Sequence, residues 1–267
     1  MLVTKYDINN SKLSLMAAFI WHLTSEADIA EGRLLPVVNT DLIINLSAPI
    51  TYRFFEGENE QAPRVHIRYV KRKPQIINQA AKIDVWGVSL NPCGVYPILR
   101  KNLSLFKESI IDLKQINSSF CTNVLNGLRN INESCEGPAV IEEALMDWIG
   151  DGINMNEIRQ VNDFIRNDEG YKIGDYCRNK GIGIKSLERL IKKYTGFTPK
   201  QLHLVARFQR AGNDIIYGSE PPSLAELAYS HDYFDQTHMT REFKEYAGTT
   251  PFSFLSVHDS IKEKMIE

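Results

Sequence analysis

No stretch of the 267 residues approaches the ~18 consecutive apolar positions that a membrane-crossing helix needs, so no membrane partner is expected. The opening segment, MLVTKYDINNSKLSL, lacks the basic-then-apolar pattern of a secretory signal, and a cytoplasmic location is expected. Cysteine is scarce. Cys93, Cys121, Cys135 and Cys177 are widely spaced and form no C-x-x-C pair, which argues against a disulfide framework or zinc site. They read as small buried hydrophobes. There is no H-x-H or H-x-x-x-H spacing, so His22 and His66 read as structural or surface histidines and no metal or cofactor is expected. Phosphate loop, dinucleotide fingerprint and nucleophile elbow are all missing, and Gly181-Ile-Gly183 alone is only a turn. These absences leave no catalytic set, and the chain is not expected to be an enzyme.

Charge of one sign is not in excess either, the formal net charge being −2. That excludes little, because local charge decides nucleic-acid contact. From Ile184 to Arg210 the basic residues are Lys185, Arg189, Lys192, Lys193, Lys200, Arg207 and Arg210, with Glu188 the only acid. Such a stripe suits a phosphate backbone, although a solvated helix face is the commoner cause of a charge run.

The length suggests two domains, and 43% apolar residues suit a folded chain. Before about residue 100, LLPVVNT, DLIINL, ITYRFF, VHIRYV and DVWGVSL read as strands, with EGENEQAP (56–63) a loop. Asp41 reads as a turn residue, with a ligand-orienting role the alternative. Val95–Lys101, Ser118–Ile131 and Ala139–Ile149 then show helical spacing. The segment 151–156, DGINMN, looks like a linker, with Asn154 or Asn156 capping a helix that runs to about Asn167. The expected division is 1–150, a β-rich sensor or dimerisation domain with trailing helices, and 151–267, an all-α domain. The fold class is therefore α+β.

The strongest signal is an internal repeat. LERLIKKYTGFTP (187–199) matches MTREFKEYAGTTP (239–251) at an offset of 52, with Arg189/Arg241, Lys192/Lys244, Tyr194/Tyr246, Gly196/Gly248, Thr198/Thr250 and Pro199/Pro251 identical. Each copy reads as helix, short turn, helix: 172–180 then 184–195, and 223–230 then about 235–246. In the first copy Leu187, Leu190, Ile191 and Tyr194 form the inward stripe. Lys185, Ser186, Glu188, Arg189, Lys192 and Lys193 lie opposite. In the second, Met239, Phe243 and Tyr246 face inward and Gln236, Thr237, Thr240, Arg241 and Lys244 outward.

A helix-turn-helix places its second helix in the major groove of double-stranded DNA, where Arg reads guanine, Gln adenine and a Thr methyl thymine. The bland alternative is two helical hairpins packing a core. Pro199–Tyr217 spans about 18 residues, or roughly 27 Å of helix. Groove faces recur about every 34 Å, so a connecting helix of this length suits two recognition helices in successive segments. His203 and Arg207 lie one turn apart on it, where phosphate contact is plausible. His238 reads as a support of the second recognition helix.

The stretch from about Asn154 to Leu255 resembles the AraC/XylS-type DNA-binding domain. The resemblance rests on LERLIKKYTGFTPKQ, RFQRA (207–211), LAELA…DYFDQTHMTREFK and the closing GTTPFSF. It implies that Lys185, Glu188 and Arg189 face bases in one groove and that Gln236, Thr237, Thr240 and Arg241 face bases in the next. Arg207 matches the family's arginine on the connecting helix. Two departures are Gly183 where Ser is usual at the first cap, and Asp232 where the second turn usually has Gly. The N-terminal region resembles the small cupin-like β-barrel sensor domain of some members, through FIWH (19–22), LPVVNTDLIINL (35–46), WGVSLNPCG (86–94) and FKESIIDL (106–113). That implies a small-molecule effector or a homodimer. Trp21, Tyr52, Phe54, Tyr69 and Trp86 are the candidate effector-lining residues, plain core being the alternative. Helices 118–131 and 139–149 are candidates for a dimer contact. A transcription regulator is the expected function, one that contacts RNA polymerase if it activates. The alternatives are a regulator whose N-terminal domain only dimerises, and a cupin-type enzyme with a helical docking module.

Overall fold

The computed structural model describes residues 2–26, 29–54, 59–68, 75–79, 82–102, 106, 110–166, 173–218 and 223–254. The strands are β1 (Leu2–Tyr6), β2 (Ala17–Ser25), β3 (Ile29–Leu34), β4 (Thr40–Asn45), β5 (Thr51–Phe54), β6 (Asn59–Gln61), β7 (Val65–Arg68), β8 (Gln75–Gln79), β9 (Ile83–Leu90) and β10 (Ile110–Asp112). They pair antiparallel in two sheets, ordered β1-β2-β9-β4-β7-β10 and β3-β8-β5-β6. Side chains alternate across a strand, so each central strand of the larger sheet feeds two cores. Leu42, Ile44, Val65, Ile67, Trp86 and Val88 point to the helices, whereas Trp21, Ile43 and Val85 face the smaller sheet with its Tyr52. The fold class is α+β as expected, with a β-rich N-terminal region and a helical C-terminal one.

The helix-facing side is covered by α1 (Val95–Leu99), α2 (Ser118–Arg129) and α3 (Gly137–Ile149). Asn117 caps α2 by accepting from the Phe120 N–H, and Phe120, Val124, Leu128, Ile141 and Leu145 fill the layer beneath. Then come α4 (Met155–Arg166), α5 (Ile173–Lys180), α6 (Ile184–Thr195), α7 (Pro199–Tyr217), α8 (Leu224–Ser230) and α9 (Gln236–Ala247). Asn154 is the residue that caps α4, its Oδ1 accepting from the N–H groups of Asn156 and Glu157. No helix among the described residues is long and apolar enough to cross a membrane.

Several expectations need correction. Leu35–Val38 is not a strand; Pro36 has no N–H for a ladder, and the segment turns away after β3. Asp41 is a strand residue of β4, ion-paired to Arg68 of β7, and not a turn residue. The loop expected at 56–63 contains the short strand β6. Cys135 is exposed, unlike Cys93, Cys121 and Cys177. Trp86 faces the helices: it stacks on His22 with centroids 3.9 Å apart and lies against Gly137, so it does not line the region between the sheets. Tyr69 and the Phe54 side chain lie outside the described residues.

The core does not divide at residue 150. One apolar cluster runs from Leu13 through the larger sheet, α2 and α3 into α4, α6 and Leu202. The contacts are specific: the Asn162 amide donates to the Leu15 carbonyl at 2.7 Å, and the Tyr96 and Tyr194 rings lie 4.8 Å apart. A second cluster gathers α7, α8 and α9 around Phe208, Met239 and Phe243, and takes in Leu35 from the N-terminal region.

Candidate nucleic-acid interface

Local chemistry builds the two helical units alike. In the first, Gly181 takes a left-handed φ of 65° and the Ile182 N–H returns to the Cys177 carbonyl at 3.0 Å. In the second, Asp232 takes φ 56° and the Tyr233 N–H returns to the Ala228 carbonyl at 2.9 Å. Asp is among the few non-glycine residues that enter this region readily, so the substitution keeps the turn. After the turn, α6 starts from Gly183, whose extended backbone supplies no side-chain cap. By contrast, α9 starts from Asp235, whose carboxylate accepts from the His238 N–H at 2.7 Å. Both helices end on a left-handed glycine, Gly196 and Gly248.

The turns are offset by 51 residues and the recognition helices by 52, so the second unit carries one extra residue. The structure puts it at Phe234, 91% exposed just before Asp235, the cap of α9. Sequence reasoning passed over Phe234, although the difference in length between the copies was its signal.

Lys185, Ser186, Glu188, Arg189 and Lys192 are exposed on α6 above the buried Leu187, Ile191 and Tyr194, with Leu190 only half-buried. On α9, Gln236, Thr237, Arg241 and Lys244 are exposed and Thr240 is half-buried. Lys193 is held differently. Its Nζ lies 2.6 Å from Glu157 of α4 and 5.2 Å from the centre of the Tyr96 ring. Burial pushes the Glu157 carboxyl up, but hydrogen bonds from Lys193 and Tyr194 outweigh it and hold the carboxyl below its ordinary value. Lys193 thus fastens α6 to α4 and the N-terminal region.

Arg207 corrects a second expectation. It is 5% exposed, and its Nη2 lies 2.5 Å from Glu242 of α9. Its Nη1 donates to the Asp232 carbonyl at 3.2 Å, and the guanidinium carbon sits 4.2 Å from the Tyr233 ring centre. The Tyr233 hydroxyl donates to Glu242 at 2.8 Å. Burial, then the Glu242 carboxylate, pushes that hydroxyl's pKa far up. Arg207 therefore joins the connecting helix to the second turn and recognition helix. The connecting helix α7 has 19 residues, beginning with a capping box between Thr198 and Gln201. At about 1.5 Å per residue it is roughly 28 Å long.

A family model described as a helix-turn-helix domain matches residues 176–256. A comparison with curated proteins returned no match. Among solved structures, ToxT from Vibrio cholerae O395 is similar at 11% identity with a TM-score of 0.47, covering 88% of this chain and 97% of its own. The C-terminal domain of AraT, a response regulator from Geobacillus stearothermophilus, is similar at 17% identity and a TM-score of 0.34, over 44% of this chain and 92% of its own. The AraC-like transcriptional activator CuxR shows 12% identity and a TM-score of 0.30, over 79% and 86%. Residues 176–256 are therefore a helix-turn-helix domain of the AraC type.

Proposed function

We propose that the chain is a sequence-specific transcription regulator that reads two neighbouring major-groove segments of duplex DNA, one with α6 and one with α9. The observation that carries this reading is the matched pair of turns, each followed by a helix with a polar, cationic outer face. Lys185, Ser186, Glu188, Arg189 and Lys192 form one reading face, and Gln236, Thr237, Thr240, Arg241 and Lys244 the other. Arg and Gln supply bidentate base contacts, and the lysines supply phosphate contacts that set register. Residues 1–150 serve as the sensor and residues 151–267 as the reader, even though the first reading unit shares its core with the sensor. Homodimerisation through α2 and α3, and contact with RNA polymerase, belong to the same proposal.

The experiment is selection of bound duplexes from a random library with the full chain at physiological salt. Two short motifs with centres about one helical turn (roughly 10 base pairs) apart are expected. A single motif, or enrichment of no sequence, would overturn bipartite reading.

A further inference from the structure

Among the described residues the most exposed large apolar side chain is Phe234. It stands between two anchored residues. Before it, Tyr233 is buried, with its hydroxyl donating to Glu242 and its ring against the Arg207 guanidinium. After it, the Asp235 carboxylate caps α9 through the His238 N–H. The Phe234 N–H itself donates to His238 Nδ1 at 3.4 Å. The backbone is fixed on both sides, so the ring is presented from a rigid elbow.

A structural use for an apolar residue at this point exists, and Phe234 does not take it. The residue before a helix cap often packs against the fourth residue of the helix, fixing the angle at which the chain enters. In α9 that fourth residue is Met239, which is fully buried in the second core cluster. Phe234 is too exposed to share that burial. The first unit follows the ordinary pattern. Ile182 precedes the Gly183 cap and packs against the cluster that holds Leu187, the fourth residue of α6. In the second unit Tyr233 takes the inward place, and the extra residue of that copy, Phe234, is left outside.

Its place in the fold fixes what can cover it. A helix-turn-helix contacts base edges with the N-terminal residues of its second helix. Phe234 stands two residues before Gln236, the first residue of α9, so their Cα atoms are at most about 7 Å apart. The ring is thus continuous with the reading face that begins at Gln236 and Thr237, both exposed. A phenyl ring makes no hydrogen bond to a base edge and gains nothing from a phosphate. The apolar group that the major groove offers is the C5-methyl of thymine, and Phe is one of the side chains that meet it. Arg241 and Lys244, exposed farther along α9, supply the polar contacts that hold the duplex against the ring.

We propose that Phe234 is a specificity residue of the second reading unit: its ring packs on a thymine methyl at the edge of the motif that α9 reads. Cytosine, which lacks the methyl, is disfavoured at that position. The proposal rests on reading α9 as a recognition helix. Arg241→Ala separates the two, because it alters the α9 motif and leaves Phe234 in place.

The test replaces each thymine of the α9 motif, one at a time, by deoxyuridine, which removes the methyl and nothing else. Affinity of the full chain for the selected duplex is measured at physiological salt. One position is expected at which the replacement weakens binding about fourfold, the worth of one buried methyl. Phe234→Ser should weaken binding to the unmodified duplex by a similar factor and lose the response to uracil at that position. The slope of log affinity against log salt should stay as in the unaltered chain, since no phosphate contact is removed. The ring is exposed, so Phe234→Ser should melt with the unaltered chain. A motif with no thymine whose methyl matters, or a Phe234→Ser variant that still responds to uracil as the unaltered chain does, would overturn the proposal. Unchanged affinity in Phe234→Ser would overturn it in favour of a protein partner for the ring. If Arg241→Ala relaxes the motif while Phe234→Ser changes nothing, this proposal alone fails; indifference to both substitutions would overturn the α9 reading with it.

Discussion

Glu242→Gln isolates what holds the second recognition helix. The substitution keeps the side-chain shape and removes the charge opposite Arg207. Both residues are more than nine-tenths buried, at 5% and 7% exposure, and Glu242 also accepts from Tyr233. Breaking a buried pair by removing one charge costs about 3–5 kcal/mol, because the remaining charge has left water without compensation. The remaining groups around Arg207, the Asp232 carbonyl and the Tyr233 ring, offset part of this, so about 3 kcal/mol is expected. Amide hydrogen exchange should show the loss concentrated in α8, α9 and the C-terminal half of α7, which share the second core cluster. The α6 unit belongs to the other cluster and should exchange almost as before. The double replacement Arg207→Met with Glu242→Met removes both charges and should recover most of the stability. A loss under about 1 kcal/mol for Glu242→Gln, or equal loosening of α6 and α9, would refute the buried-pair account. If the double variant binds DNA with a salt dependence lower by about one phosphate contact, Arg207 reaches the backbone after all.

Three further outcomes follow from the same geometry. Burial, aided by the nearby Arg68 charge and only partly offset by the Pro63 carbonyl, lowers the His66 pKa from 6.5 to about 4. The unfolded chain therefore takes up this proton first as pH falls. Stability due to His66 is complete above about pH 6.5 and declines toward pH 4, by about 3 kcal/mol in all; denaturant titrations in which His66→Asn leaves that pH slope unchanged would contradict it. Gly196→Ala and Gly248→Ala should each cost about 1 kcal/mol in thermal unfolding, since both glycines hold left-handed φ values of 71° and 68°. Gly183→Ser should gain a few tenths of a kcal/mol, because the cap position has room for a Cβ and lacks a side-chain acceptor; a measured loss would show that the α6 entry differs from the one described.

Much of the C-terminal domain was legible because it is written in short-range signals. The 52-residue repeat, the Gly and Asp turn positions and the i, i+3, i+4, i+7 stripe are all local. The connecting helix runs from Pro199 to Tyr217 as its spacing implied. The N-terminal strands β4, β5, β7 and β9 were visible by alternation, but β1, β2, β3, β8 and β10 were not, since their faces are set by partners distant in sequence. The same reason hid the role of Arg207. A basic residue on an amphipathic helix looks like a phosphate contact until a glutamate 35 positions away is found against it. Trp86 belongs to the core, the alternative that the sequence left open; an aromatic in a strand does not announce which face it takes, and its stacking on His22 decides that. The pairing of Asp41 with Arg68 likewise needs the β4–β7 register, which no local pattern carries.

The most direct test of the central claim compares Arg189→Ala and Arg241→Ala with the unaltered chain on the selected duplex and on variants of each motif. Each substitution should lower affinity by about 1–3 kcal/mol and relax base preference in one motif only, a different motif for each. Unchanged affinity and preference in both, with the proteins folded, would contradict the assignment of α6 and α9 as the reading helices.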